Sequence, residues 1–120
     1  MINVENKSKQ LEERTLDFTV NVIKFCRTLS NSSENTILKN QLIRAASSIG
    51  ANYTEANNAS SRVDFRNKIF IAKKEAAETR YWLRAISRTN DGVEVDGLID
   101  EVSQLLLILQ KIVSTLKNGK

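Results

Sequence analysis

No proline stands anywhere in the 120 residues, and glycine appears only four times. These two residues set the tight turns and corners that sandwiches and barrels require. A chain this poor in both has few means of reversing short strands, but it can run long helices. Three polar clusters interrupt it: "SNSSEN" from Ser30, "NNASS" from Asn57 and "NDG" from Asn90. Between them the apolar residues recur at three-and-four spacing, the signature of one buried helical stripe.

Four helices follow. The first is expected over residues 7–29, with Leu11, Thr15, Phe18, Val22, Phe25, Cys26 and Leu29 inward. The second is expected over 34–57, with Leu38, Leu42, Ala45, Ile49, Tyr53 and Ala56 on a narrow face and Ser33 as its N-cap. The third, over 62–89, starts at a capping box formed by Ser61 and Asp64. It buries Phe65, Ile69, Ala72, Ala76, Leu83 and Ile86, and Gly92 ends it in a left-handed turn. The fourth, over 96–117, buries Leu98, Val102, Leu105, Leu109, Ile112, Val113 and Leu116. Helices of this length joined by short links predict one all-α domain over residues 1–120, an antiparallel up-down-up-down four-helix bundle.

Chemistry is constrained by what is missing. There is no histidine and a single cysteine. That excludes the usual zinc sites and the Ser-His and Cys-His nucleophile systems. No glycine-rich phosphate loop occurs. Catalysis by carboxylates or lysine stays open, but no spacing asks for it, so the expectation is a protein with no catalytic residue, no metal and no cofactor. Cys26 falls among Val22, Phe25 and Leu29, so it reads as a buried structural thiol. The longest apolar run, Leu105 to Leu109, is far short of a membrane span, and the N-terminus lacks the apolar core of a signal peptide. The expected location is cytoplasmic, with no membrane contact.

The apolar residues exceed what one bundle buries. Helix three carries a second set, Val63, Phe70, Ala77 and Tyr81, with Ile71 and Trp82 on another side. Helix four adds Leu106, Leu107 and Ile108. Scattered surface residues are one account. A subunit interface in a closed homo-oligomer is the preferred one, because several large residues recur on the same off-core side.

Charge is also concentrated on helix three. Its eight cations against three acids leave it five positive, more than the net +4 of the whole chain. Arg62, Arg66, Lys73, Arg80, Arg84 and Arg88 follow one another at spacings of 4, 7, 7, 4 and 4 residues. On a helical wheel they fall within roughly 80° of each other. Two readings stand. One is a solvated face bridged to acids such as Glu12, Glu13, Asp100 or Glu101. The other is a track for the phosphates of RNA or DNA, since the arginine fork matches phosphate oxygens. Tyr81, beside the ribbon, is placed to stack on a base if exposed.

Helix two holds a further polar stripe, Arg44, Ser48, Asn52 and Glu55. It reads either as a groove site or as a network pairing Arg44 and Glu55 with Glu75, Glu78 or Arg80 of helix three. The network is preferred, because no nucleophile or ligand set accompanies the stripe. Such a network fixes register more than it adds stability.

"QLIRAASSIGANYTEA" (Gln41 to Ala56) with "DFRNKIFIAKKEAAETRYWL" (Asp64 to Leu83) resembles a known four-helix-bundle family. The family is named for proteins encoded by intervening sequences within bacterial 23S ribosomal RNA genes. The accessory variability protein of diversity-generating retroelements forms a related branch. The matching positions are Arg44, Ala45, Ser48, Ile49, Asn52 and Glu55, then Phe65, Ile71, Ala72 and Glu78. Ala56 departs from the family's usual glycine, and Lys73 and Lys74 stand near a common Gly-Ser. The resemblance implies a homopentameric barrel of antiparallel bundles without catalytic activity. For the retroelement branch it also implies a basic surface that engages nucleic acid and a reverse transcriptase. A protein-interaction adaptor with no nucleic-acid role is the alternative.

Overall fold

Capping chemistry places the helix starts. Ser32 holds extended backbone (φ −118°, ψ 163°), and its side chain accepts from the Asn35 N–H. The N-cap of the second helix is therefore Ser32, one residue before the expected Ser33. Asn35, whose N–H Ser32 caps, is buried at 2% exposed. There it exchanges two hydrogen bonds with Asn90, of 2.9 and 3.0 Å, and donates to the Ser30 carbonyl. Ser61 caps the third helix as expected, accepting from the Asp64 N–H at 3.0 Å. Gly92 takes φ +77°, the left-handed conformation that a β-carbon disfavours.

The computed structural model describes residues 4–118. It contains α1 (Val4–Cys26), α2 (Ser33–Asn57), α3 (Arg62–Thr89) and α4 (Asp96–Asn118), with no strand among the described residues. The largest departure from the sequence reading is at α1, which ends at Cys26 instead of residue 29. Thr28 and Leu29 bond back three residues, to Phe25 and Cys26, in a tightened turn. Leu29 is still buried there, so the apolar period ran on past the helix.

α1 and α3 each pack against both α2 and α4, giving a four-helix bundle 49 Å long. Paired residues on α2 and α3 step in opposite directions: Asn35 meets Asn90, Arg44 meets Glu78 and Glu75, and Glu55 meets Lys68. On α1 and α2, Glu12 meets Asn57 and Thr15 meets Gly50. Phe18, Leu42, Ile49, Ile69, Leu83, Ile86, Leu105 and Leu109 fill the centre. Two buried hydroxyls, Thr15 and Thr79, donate to carbonyls of their own helices at 2.7 Å. That removes the cost of burying an unpaired polar group.

Small residues on α2 bring the helices close. A β-carbon placed on Gly50 would lie 2.8 Å from Thr15 Oγ1. The apolar surplus is partly absorbed. Leu106 is buried at 7%, and Trp82 packs against the core. Val63, Phe70, Ile71, Tyr81 and Leu107 remain exposed.

Candidate functional site

The six residues of the basic ribbon share one flank of α3, but their settings differ. Arg62, Arg66, Arg84 and Arg88 are exposed, while Lys73 and Arg80 are half-buried. Arg80 Nη1 donates to Ser103 Oγ on α4 at 3.3 Å, which identifies this flank as the one bordering α4. Lys73 Nζ sits 4.6 Å from the centre of the Phe70 ring, a cation–π contact.

The acids expected to bridge the ribbon are engaged elsewhere in two of four cases. Glu101 receives both arms of Arg14, at 2.7 and 2.9 Å, and Gln104 accepts from the same guanidinium. Glu12 accepts from Asn57 at 2.7 Å. Among the described residues, Arg66, Arg84 and Arg88 have no ion-pair partner. These arginines therefore meet solvent with uncompensated charge.

The polar stripe of α2 divides. Arg44 joins α3, with Nη1 3.3 Å from Glu75 and Nη2 bonded to Glu78. Trp82 Nε1 donates to the same Glu78 oxygen at 3.0 Å. Glu55 pairs with Lys68 at 2.8 Å, not with Arg80. That hydrogen bond raises the Lys68 ammonium above its ordinary value. Ser48 and Asn52 stay outside the network. Each hydrogen-bonds the carbonyl four residues back on its own helix, at 2.8 Å. Small polar side chains inside a helix often do this, since the preceding carbonyl is the acceptor within closest reach. Lys68 was missed as a network member. Its spacing from Glu55 crosses the "NNASS" link, so no helical period connects them.

An apolar groove of about 790 Å³ opens at one end of the bundle. Leu11, Tyr53, Ala56, Phe65, Ile108 and Ile112 wall it, with Arg14 at its edge. All four helices contribute to its wall, so no single-helix pattern reveals it. Burial raises the Cys26 thiol above its ordinary value, and Lys39 opposes this weakly. Among the described residues no cluster of Cys, Asp and Glu is placed to hold a metal ion. Nor is any described helix long and apolar enough to cross a membrane.

Comparison with known proteins puts this geometry in a family. Residues 7–112 match the sequence profile described as 23S rRNA-intervening sequence protein. Among solved structures, similarity extends to a protein with unknown function from the S23 ribosomal protein family of Bacteroides thetaiotaomicron VPI-5482. The two are 33% identical, with a TM-score of 0.82, over 91% of this chain and 99% of that one. No curated protein matches.

Proposed function

The chain belongs to the 23S rRNA-intervening sequence protein family, and from that premise we propose that it is a non-enzymatic, homo-oligomeric bundle protein that binds RNA or DNA. The ribbon on α3 is the binding surface. The single observation that carries this reading is the set of exposed arginines, Arg66, Arg84 and Arg88, without ion-pair partners among the described residues. Proteins hold phosphate backbones with such arrays, and affinity then falls steeply with salt. The bundle is antiparallel, up-down-up-down, which the opposed stepping of paired residues supports. Of its exposed apolar residues, Ile71 on α3 and Leu107 on α4 are buried between copies, in a pentamer, while Phe70 and Tyr81 stay open beside the ribbon. Repeated ribbons in one assembly add their fields and multiply weak contacts. The protein acts in the cytoplasm, as an accessory factor to a nucleic-acid enzyme such as a reverse transcriptase.

The test pairs light scattering with nucleic-acid titrations. We expect an oligomer whose binding weakens as salt rises and is lost in Arg66→Glu plus Arg84→Glu without unfolding. Binding that survives both reversals refutes the reading. A second reading has its own support: Val63, Tyr81 and Leu107 are exposed apolar residues suited to a protein contact. In that case the oligomer is an adaptor or structural protein that does not touch nucleic acid. A stable protein partner captured after nuclease treatment, with no nucleic-acid binding at low salt, favours it.

A further inference from the structure

We propose that the α3 surface takes a single strand of nucleic acid, with unstacked bases laid on Tyr81 and Phe70 and phosphates along the arginines. This rests on the ribbon reading above and narrows its substrate from any nucleic acid to an unpaired strand.

The first argument is geometric. Arg66 and Arg88 lie about 33 Å apart along a straight helix at 1.5 Å per residue. One turn of B-form duplex spans about 34–36 Å. A duplex strand circles its whole axis over that length, so a straight ribbon faces it for only a fraction of the turn. A single strand has no such constraint and can be drawn out along the full ribbon.

The second argument comes from the aromatic residues. Tyr81 is 61% exposed and Phe70 42% exposed, large values for rings that are commonly buried. Both sit roughly 40–80° around the helix from the centre of the ribbon, within reach of bases whose phosphates it holds. Tyr81 stands three residues before Arg84, and Phe70 four residues after Arg66. Neither ring is loose. Tyr81 meets Trp82 in a T-shaped contact with centroids 5.0 Å apart, and Lys73 lies over Phe70, so a base stacking on that face must displace the ammonium and Tyr81 is the more open platform. Held rings beside uncompensated cations are the two components of sequence-tolerant single-strand binding. Paired bases, stacked inside a duplex, offer these rings nothing.

The experiment uses the full chain and fluorescence anisotropy with labelled oligonucleotides of about 20 nucleotides. The probes are oligo-U RNA, oligo-dT and a mixed-sequence duplex, in about 50 mM salt. Tighter binding of a single strand than of the duplex is expected, and the two sugars report whether RNA or DNA is preferred. Tyr81→Ala weakens single-strand binding about fivefold or more, Tyr81→Phe keeps it, and neither changes duplex binding. Circular dichroism verifies that the variants fold, as expected for an exposed position. The proposal is overturned if the duplex binds as tightly as the single strands, or if Tyr81→Ala and Phe70→Ala together leave single-strand affinity unchanged. Failure of the broader reading looks different: no probe binds at low salt, or the charge reversals have no effect.

Discussion

Replacing Gly50 by alanine sets two well-known effects against each other. In an ordinary helix interior the change stabilises by about 1 kcal/mol, because alanine has the higher helix propensity. Here the new β-carbon arrives 2.8 Å from Thr15 Oγ1 and 3.1 Å from Thr15 Cβ. Rotating the hydroxyl away does not help. Thr15 is 2% exposed, its Oγ1 is bonded to the Glu12 carbonyl at 2.7 Å, and the Cβ contact is fixed by the backbone. α1 and α2 must separate by a few tenths of an ångström, and overpacking of this kind costs about 1–3 kcal/mol. We expect a net loss of about 1 kcal/mol, read as a melting temperature lower by about 4 °C. In a Thr15→Ala background the 2.8 Å hydroxyl contact is gone while the 3.1 Å contact to Cβ stays, so Gly50→Ala becomes about neutral. The pair should couple by about 1 kcal/mol in a double-mutant cycle. Gly97→Ala is the control. Nothing lies within 4 Å of its added β-carbon, so it stabilises by about 0.5 kcal/mol. If Gly50→Ala raises the melting temperature, or costs the same with and without Thr15, close approach is not the reason for this glycine.

Two further outcomes are expected. Arg44→Met leaves Glu75 and Glu78 facing each other without a cation and destabilises by about 1 kcal/mol in urea, less at high salt. The same change alters the fluorescence of Trp82, which donates to Glu78 and is the one tryptophan in the sequence; an unchanged spectrum and stability would count against the network. Cys26 titrates above its ordinary value of 9.0 because it is buried, so the folded state holds this proton more tightly than the unfolded one. Stability contributed by the buried thiol is present below pH 9 and declines as pH rises past it. Cys26→Ala should flatten that alkaline decline, and native Cys26 should resist thiol reagents until denaturant is added.

Much of the architecture was legible because it is local. The four apolar stripes name nearly every large buried side chain, from Phe18 to Leu109. Ser61 and Gly92 act through capping and backbone conformation, which need only their immediate neighbours. Misreadings came where two local solutions competed. Ser32 and Ser33 are equally good caps in isolation, and the buried Asn35–Asn90 pair, which crosses between helices, is made with Ser32 as cap. Leu29 carried the apolar period past Cys26, because a tightened turn buries the same face as a helix.

The sequence by itself determined that the chain is helical, where its breaks fall, which faces are apolar and that one flank of α3 is a line of cations. All of these follow from turn chemistry and a period of 3.6 residues. Tertiary structure decided which charges find partners. Glu101 was equally available to the ribbon and to α1, and the packing of α1 against α4 gave it to Arg14. Glu55 went to Lys68 across a loop. The same packing left Arg66, Arg84, Arg88 and the Tyr81 ring facing solvent. Ion pairing depends on distances of a few ångströms between side chains on different helices, and spacing within one helix does not encode them.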